Sequence, residues 1–318
     1  MSVLRVAAVA FRSEFGEPDL NLQQLLAWIE KAGDQGARLV CFPETALHGY
    51  CTCPDTIEKL AEPIGGSRMA TIAAAAKAHD VAVGVGMALR DGNKIYNSMV
   101  FIGPHGFIGA QHKMHLCGAD HAYDPGERWQ VFDVLGWRVG APICFDCDFP
   151  ESVRVLALQG ADLIVMPFAS GRRSSAGKRA EPGDWAQEVS RWTPARAFDN
   201  KVFVVGVNHG GAVRDPHGRA LANPYGKPDV EEWAPAGSLH QWTGYCFVLD
   251  PEGRLVIEAN PQCHEQNMVI ADLDSDALER SRTSMDVKGP AGMICGDCLA
   301  VRRYDTFARL VEPGGRGA

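Results

Sequence analysis

Uninterrupted apolar runs alternate with amphipathic stretches along this chain. Short apolar runs are typical of buried strands, and apolar positions repeating every 3.6 residues or so are typical of helices with one buried face. The runs that predict strands cover 4–11, 37–42, 81–88, 130–134, 161–167, 202–207 and 268–272. The stretches that predict helices cover 20–31, 69–79, 149–158 and 185–199.

Two pairs of strand-like runs flank short turns and predict hairpins. The first joins 95–103 to 106–112, and the second joins 245–249 to 254–259. Because strands and helices interleave, the sequence predicts an α/β protein with mixed sheets and helices outside them. We find no internal repeat and no linker. We therefore predict one domain over 1–275 and a C-terminal arm over 276–318 that packs on a partner subunit.

One apolar run ends in a cysteine. The segment 137–143 leads directly into Cys144, a polar break follows, and the helical pattern of 149–158 begins. A thiol on such a turn lies close to a helix N-terminus, where positive potential favours the nucleophilic thiolate. The alternative is a buried structural cysteine, which is the commoner role of a free cysteine.

Composition and charge exclude several classes of protein. With 318 residues, 46% of them hydrophobic and 22% charged, the chain has the balance of an ordinary globular protein. Its formal charge of −8 and lack of a basic stripe argue against nucleic-acid binding. Residues 1–7 lead straight into a strand pattern, and apolar runs are only strand-length. We therefore expect no signal peptide, no membrane contact and a cytoplasmic location.

The chain has ten cysteines, and four of them form the CxxC pairs Cys144/Cys147 and Cys295/Cys298. Zinc sites built from two such pairs usually have them about 15–20 residues apart, and these pairs are much farther apart. Neither pair has independent support as a redox motif. We therefore predict reduced thiols and no metal.

Three reactive side chains follow predicted buried strands. Glu44 follows the run 37–42, Lys113 ends the second arm of the first hairpin, and Cys144 follows 137–143. Strand ends of α/β sheets are where side chains converge on ligands. A thiol there could attack a carbonyl carbon, a carboxylate could carry the proton to a leaving amine, and an ammonium could stabilise the oxyanion. Taken singly, Glu44 could instead support a helix cap and Lys113 could be a solvated edge residue.

These residues stand in motifs that resemble the nitrilase, or carbon–nitrogen hydrolase, superfamily. The principal matches are Phe42-Pro43-Glu44, Lys113-Met114-His115-Leu116, and Ile143-Cys144-Phe145-Asp146 followed by Phe149-Pro150-Glu151. The supporting matches are Tyr96-Asn97-Ser98, 195–200, 208–211 and 250–253, in the family's order. The resemblance implies an αββα sandwich with two mixed β-sheets flanked by helices, which pairs into a homodimer or higher homo-oligomer. It also implies a Glu44–Lys113–Cys144 triad, a cysteine thioester intermediate, and no metal or cofactor.

The chain departs from the family pattern at one position. The family commonly places a second glutamate between the lysine motif and a Pro-Gly turn, and 117–123 contains none. Asp120 is the nearest carboxylate and is one methylene shorter, while His121 is the other candidate. The departure leaves the positioning of the hydrolytic water open between these two residues.

The residues after the nucleophile indicate the branch. Cys144-Phe145-Asp146 resembles the amidase-like branches more than the Cys-Trp-Glu of true nitrilases. Branches acting on carboxylate-bearing substrates often have an arginine two to four residues after the cysteine, where this chain has Asp146, Cys147 and Asp148. We therefore expect a neutral substrate, or an amine that meets Asp148. Asp148 could instead cap the following helix, and a carboxylate clamp could come from Arg172, Arg173 or Lys178.

The leading interpretation is an amidohydrolase that cleaves small linear amides or N-carbamoyl compounds. The expected catalytic residues are Glu44, Lys113, Cys144 and Asp120, and the expected substrate contacts are Phe145, Asp148, Phe168 and Asn208. An acyltransferase of the same fold would pass the acyl group to another nucleophile. A non-catalytic scaffold subunit is the alternative from a different class.

Overall fold

The computed structural model describes residues 2–50, 54–117, 120, 122–170, 184–211, 242–283 and 299. His121, Arg172, Arg173, Lys178 and the Cys295/Cys298 pair lie outside the described residues, as does most of the predicted arm. The predicted division at 275/276 therefore stays a prediction.

The strands of the described residues form two mixed sheets. The first sheet contains β1 (Val3–Ala10), β2 (Leu39–Cys41), β3 (Glu62–Pro63), β4 (Ala82–Asp91), β5 (Lys94–Gly103), β6 (Gly106–His112) and β13 (Asn267–Asp274), in the order β13-β1-β2-β4-β5-β6 with β3 paired to β4. The second contains β7 (Val131–Val134), β8 (Trp137–Gly140), β9 (Leu163–Pro167), β10 (Phe203–Val207), β11 (Phe247–Leu249) and β12 (Leu255–Glu258), in the order β12-β11-β10-β9-β8-β7. In each sheet three central strands run parallel and the flanking strands are antiparallel.

The described residues form seven α-helices. They are α1 (Pro18–Asp34), α2 (Pro54–Leu60), α3 (Ser67–Ala78), α4 (Pro150–Leu158), α5 (Asp184–Ser190), α6 (Thr193–Asn200) and α7 (Ser275–Thr283). Five of them, α1, α3, α4, α5 and α6, cover the outer faces of the sheets. One apolar cluster joins α1 and α3 to the first sheet, and another joins α4, α5 and α6 to the second sheet. A third cluster fills the space between the two sheets.

The strand β1 shows why its run is apolar on both faces. Val6 and Ala8 point into the cluster between the sheets, whereas Ala7 and Val9 point into the cluster beneath α1 and α3. Side chains alternate along a strand, so a strand covered on both faces needs apolar residues throughout. The layers are therefore helix, sheet, sheet and helix, which confirms the predicted αββα sandwich.

The predicted helix over 185–199 is wrong in its continuity. The structure divides it into α5 and α6, with Pro194 in the first turn of the second helix. Proline lacks an N–H and disfavours the helical conformation of the residue before it. The first turn of a helix tolerates proline, so a new helix begins there instead of the old one continuing.

The helix α7 was not predicted because polar contacts hold it in place. Its Arg282 donates from Nη1 to the Asp162 carboxylate at 2.7 Å and from Nη2 to the Ala161 carbonyl at 2.8 Å. Such contacts leave little apolar periodicity in the sequence. Across the described residues, no helix combines the length and the apolar character that crossing a membrane requires.

A glycine on β4 lets the loop after β2 lie directly against the first sheet. The Leu47 N–H donates to the Gly86 carbonyl at 3.1 Å, and the Gly86 N–H donates to the Pro43 carbonyl at 3.2 Å. A Cβ atom on Gly86 would lie 2.2 Å from the Pro43 oxygen and 2.3 Å from the Thr45 nitrogen. The backbone around Glu44 can occupy this position only if residue 86 has no side chain.

We predict that Gly86→Ala destabilises the protein far more than Gly84→Ala, two residues earlier on the same strand. A Cβ at Gly84 would meet the flexible end of Met99 at 2.8 Å, which can move, whereas backbone atoms cannot. We expect the free energy of unfolding to fall by about 3 kcal/mol for Gly86→Ala and by about 1 kcal/mol for Gly84→Ala. Urea denaturation measures both values, and equal losses would contradict the prediction.

Candidate functional site

Glu44 lies on the loop that follows β2, at the end of the strand pair β2/β4. Its side chain is fully buried, and the next residue, Thr45, has a φ of 51°. Positive φ is uncommon for a β-branched residue, and such strain occurs where the surrounding structure fixes the backbone. The contacts with β4 at Gly86 provide that restraint and hold Glu44 in one position.

Lys113 follows β6 and lies between two carboxylates. Its Nζ is 2.7 Å from Glu44 Oε1 and 2.7 Å from Asp120 Oδ2, and all three side chains are fully buried. The backbone of Lys113 is fixed because its N–H donates to the Asn97 carbonyl at 2.8 Å. The structure therefore brings three of the four predicted catalytic residues into one charge cluster.

The two carboxylate oxygens of Glu44 have different surroundings. Oε1 accepts from Lys113 Nζ at 2.7 Å and from Asn97 Nδ2 at 2.7 Å. Oε2 is buried and has no hydrogen-bond partner among the described residues. A buried acceptor without a partner is rare and needs an explanation. Glu44 thus has one oxygen that fixes its orientation and one that is available for a proton.

Cys144 lies at the start of a 3₁₀ turn over Cys144–Asp148, four residues after β8 ends. The residue is half-buried and has a φ of 48°, in the left-handed region. The α-helix that follows begins only at Pro150, so a short turn separates the thiol from the helix N-terminus. The charges of Glu44 and Lys113 both act on the pKa of the Cys144 thiol, so Cys144 lies close to the buried charge cluster.

Asp146 joins the cysteine turn to the lysine segment. Its fully buried carboxylate accepts from the Ile143 N–H at 3.0 Å, the Met114 N–H at 3.3 Å and the His115 N–H at 2.7 Å. His115 Nδ1 is also 2.8 Å from Asp146 Oδ1. The segment 113–115 follows the first sheet and the cysteine turn follows the second, so this one carboxylate fixes the two halves of the site against each other.

Burial sets the proton affinities of the site. Burial raises the pKa of Cys144, the negative charge of Glu44 raises it further, and Lys113 offsets only part of the increase. The expected stabilisation of the thiolate by a helix N-terminus is therefore wrong for this conformation. Burial also raises the pKa of Glu44, against the opposing effect of Lys113. Burial lowers the pKa of Lys113, but the charges of Glu44, Cys144 and Asp120 together raise it well above its usual value.

The predicted substrate contacts occupy different environments. Phe145 is half-buried, with its ring 5.3 Å from that of Phe149, and Asp148 is exposed. Phe168 is buried against Trp185 at 5.1 Å. The residue at the N-cap of α4 is Phe149, so Asp148 lies one residue before the cap position.

Asn208 is fully buried and its amide holds the loop after β9. Its Nδ2 donates to the Ser170 carbonyl at 2.9 Å and to Thr243 Oγ1 at 2.6 Å, and its Oδ1 accepts from the Ser170 N–H at 3.0 Å. The side-chain amide of Asn208 therefore makes its hydrogen bonds within the protein, to Ser170 and Thr243. Asn208 therefore shapes the edge of the site through Ser170.

Three residues that support the site had no role predicted from the sequence. Asn97 donates to Glu44, Tyr50 donates from its hydroxyl to Asp120 Oδ1 at 3.1 Å, and His209 Nε2 donates to the Glu44 carbonyl at 2.6 Å. Asn97 and His209 stand in supporting motifs, and that position was their only signal in the sequence. Nothing local distinguishes Tyr50, because its role depends on a contact across 70 residues.

An aromatic group lies beside the charge cluster. Tyr50 and Trp242 meet edge to face with ring centroids 6.4 Å apart, and both are buried in a cluster with Ala169. The Ala169 backbone lowers the pKa of Cys144 against the larger effect of burial, so this apolar surface lies near the thiol. Among the described residues, no group of three or more His, Cys, Asp or Glu side chains could hold a metal ion.

Comparisons with known proteins agree on one family. The chain matches the family model described as carbon-nitrogen hydrolase over residues 5–283. It is 35% identical over 222 residues to a nitrilase of Pyrococcus abyssi, a match covering 67% of this chain and 77% of the relative. It is 29% identical over 291 residues to an (R)-stereoselective amidase of Pseudomonas sp, covering 89% of each. The crystal structure of Saccharomyces cerevisiae Nit3, a member of branch 10 of the nitrilase superfamily, has the same fold, with a TM-score of 0.69 at 24% identity over 92% of this chain and 97% of that chain.

We predict that His209 makes the protein sensitive to mild acid. Burial lowers the pKa of His209 to about 4, below the unfolded value near 6.5. Protons therefore bind the unfolded chain first, and stability falls as the pH drops from about 6.5 towards 4. Between pH 7 and pH 5, the wild type should lose about 2 kcal/mol more unfolding free energy than His209→Gln.

Urea denaturation at the two pH values measures this difference. His105→Gln, at an exposed histidine, serves as the control and should lose as much stability as the wild type. Equal losses in His209→Gln and the wild type would show that His209 binds protons equally in both states, contrary to the prediction.

Proposed function

Since this chain belongs to the carbon–nitrogen hydrolase family, in its amidase-like branch, we propose that it hydrolyses small linear amides or N-carbamoyl compounds through a thioester on Cys144. The observation that carries the proposal is the difference in hydrogen bonding between the two carboxylate oxygens of Glu44. Oε1 accepts hydrogen bonds from Asn97 and Lys113. Oε2 is buried without a partner among the described residues, and the charge of Glu44 acts on the Cys144 thiol. A general base needs such an acceptor, fixed in place and available.

The first half of the proposed reaction forms the thioester. Glu44 Oε2 takes the thiol proton of Cys144 as the sulfur attacks the carbonyl carbon of the amide. The electron pair of the carbonyl π bond moves to oxygen, and the Lys113 ammonium stabilises that oxyanion. Lys113 donates to Glu44 and to Asp120, which leaves a third N–H for the oxyanion. The intermediate then collapses, the C–N bond breaks, and Glu44 returns the proton to the leaving amine.

The second half of the reaction releases the acyl group. Water attacks the thioester carbon, Glu44 accepts a proton from it, and the C–S bond breaks as the proton passes to the sulfur. Asp120 stands in the place of the missing second glutamate, and we assign it the role of holding Lys113 and not that of positioning the water, since its Oδ2 lies 2.7 Å from Lys113 Nζ and its Oδ1 accepts from Tyr50. Asp120 then keeps the ammonium fixed while charge appears and disappears on the carbonyl oxygen.

The raised pKa values of Glu44 and Cys144 support this assignment. A thiol with a raised pKa needs a stronger base than an ordinary carboxylate, and burial makes Glu44 such a base. Burial disfavours the charged form of both groups, so the Glu44 carboxylate is a stronger base here than it would be in water. Glu44 then removes the thiol proton as the substrate binds, and Cys144 stays a protonated thiol until that point.

Charge indicates the class of substrate. The buried cluster places two carboxylates against one ammonium, and Asp148 adds an exposed negative charge four residues beyond the nucleophile. The apolar surface of Tyr50, Ala169 and Trp242 lies near the thiol. We therefore propose a neutral or amine-bearing amide in preference to one that carries a carboxylate.

Intact-mass analysis tests the nucleophile and the base. We expect acid-quenched wild-type protein incubated with an amide panel to carry an acyl adduct, and Cys144→Ala to carry none. Glu44→Gln keeps an amide in place of the carboxylate but cannot accept the proton, so we expect kcat to fall roughly 10²–10⁴-fold. Cys263→Ala, at another half-buried cysteine, is the matched control and should keep the adduct and the activity of the wild type.

The same experiment separates the alternative functions. An adduct that passes mainly to an added amine, with little hydrolysis, would identify an acyltransferase. The absence of both turnover and adduct across the panel, together with slow labelling of Cys144 by a thiol reagent, would identify a scaffold and sink the proposal.

We predict that Asp148 favours cationic substrates. Replacement by Asn removes a charge worth about 1 kcal/mol at 4 Å in water. Asp148→Asn should therefore lower kcat/KM for an amine-bearing amide roughly fivefold relative to a neutral amide of the same length. Glu279→Gln, an equal loss of charge on α7, serves as the control. Faster turnover of N-carbamoyl amino acids than of neutral or amine-bearing amides would show that the charge argument is wrong.

A further inference from the structure

Cys117 binds the carboxylate of Asp120 with two different donors. Its backbone N–H and its Sγ each lie 3.1 Å from Asp120 Oδ2. The same oxygen is 2.7 Å from Lys113 Nζ. Cys117 and Lys113 therefore contact the same carboxylate oxygen of Asp120.

Cys117 and Asp120 contact each other through both backbone and side-chain atoms. The Asp120 N–H donates to the Cys117 carbonyl at 2.8 Å, so the two residues are joined by three contacts in both directions. These contacts hold Asp120 where its side chain, one methylene shorter than that of a glutamate, places Oδ2 2.7 Å from Lys113 Nζ.

Tyr50 holds the other carboxylate oxygen. Its hydroxyl donates to Asp120 Oδ1 at 3.1 Å and lies 3.8 Å from Cys117 Sγ. With Oδ1 fixed by Tyr50 and Oδ2 by Cys117, the carboxylate plane has little freedom to rotate. The Lys113 ammonium then faces an oxygen at a defined position, and electrostatic stabilisation of an oxyanion depends on such fixed geometry.

We propose that Cys117 is a positioning residue of the reaction, which acts through Asp120 by holding Oδ2 against Lys113. The inference rests on the proposed hydrolysis. A thiol is a weak donor, so its contribution is a matter of orientation more than of binding strength. Cys117 is half-buried while Asp120 is fully buried, so the thiol also covers the carboxylate on its outer side.

Variants of Cys117 test this role. Cys117→Ala and Cys117→Val remove the side-chain donor, and the valine variant also fills the space that the alanine variant leaves empty. Losing a hydrogen bond of this strength should lower kcat/KM about fivefold. Cys117→Ser keeps an O–H donor and should stay within about twofold of the wild type. Cys263→Ala is the control for the loss of a half-buried cysteine elsewhere.

A double-variant cycle distinguishes positioning from general structural support. If Cys117 acts through Asp120, then Cys117→Ala should have no further effect on kcat/KM in the Asp120→Asn background. A fivefold loss in both backgrounds, or no loss in Cys117→Ala and Cys117→Val, would overturn the inference while leaving the proposed hydrolysis intact. Failure of the wild type to turn over any amide would overturn both. If the alanine variant does not fold, the same cycle with Cys117→Val decides the question.

Discussion

The buried ammonium of Lys113 between the carboxylates of Glu44 and Asp120 is the interaction on which the rest of the site depends. Removing three charges from water costs several kcal/mol for each ion, and only close and well-oriented partners offset that cost. Both N–O distances are 2.7 Å, and each carboxylate has at least one further donor, from Asn97 or from Tyr50 and Cys117. The cluster can exist only because several separate segments place their donors together.

Both sheets contribute residues to this part of the structure, which comprises the charge cluster and Cys144. The first sheet provides Glu44 after β2 and Lys113 after β6, and the second sheet provides Cys144 after β8. The apolar cluster between the sheets sets their separation, and the Asp146 carboxylate fixes the local register between the cysteine turn and the lysine segment. The fold therefore determines the spacing of the reactive groups before any substrate is present.

Much of the fold could be predicted because burial leaves a direct record in the sequence. Strands covered on both faces are apolar throughout, as in β1 and β10, so an α/β protein with mixed sheets and outer helices followed from the runs and their order. The αββα layering was implied by the family resemblance. The short helix α2 buries one residue, Ile57, and α7 depends on Arg282, so neither has a clear apolar stripe. A tertiary ion pair of this kind has no local signature.

The residues of the site likewise differ in how far the sequence could predict them. Glu44, Lys113 and Cys144 could be selected because each stands where a buried strand stops. The contact between Asp120 and Lys113 could only be offered as one of two alternatives, since it depends on the contacts that hold Asp120 to Cys117 and Tyr50. The raised pKa of Cys144 could not be predicted either, because it results from burial and from Glu44, a hundred positions earlier in the chain.

The left-handed backbone of Cys144 has a consequence for the stability of the protein. A residue with a Cβ atom in that conformation costs about 1–3 kcal/mol, and glycine would relieve most of the cost. If Cys144 performs the proposed reaction, the residue that stability favours at position 144 is one that cannot perform it. The strain at this position is then a cost in stability that the proposed chemistry requires.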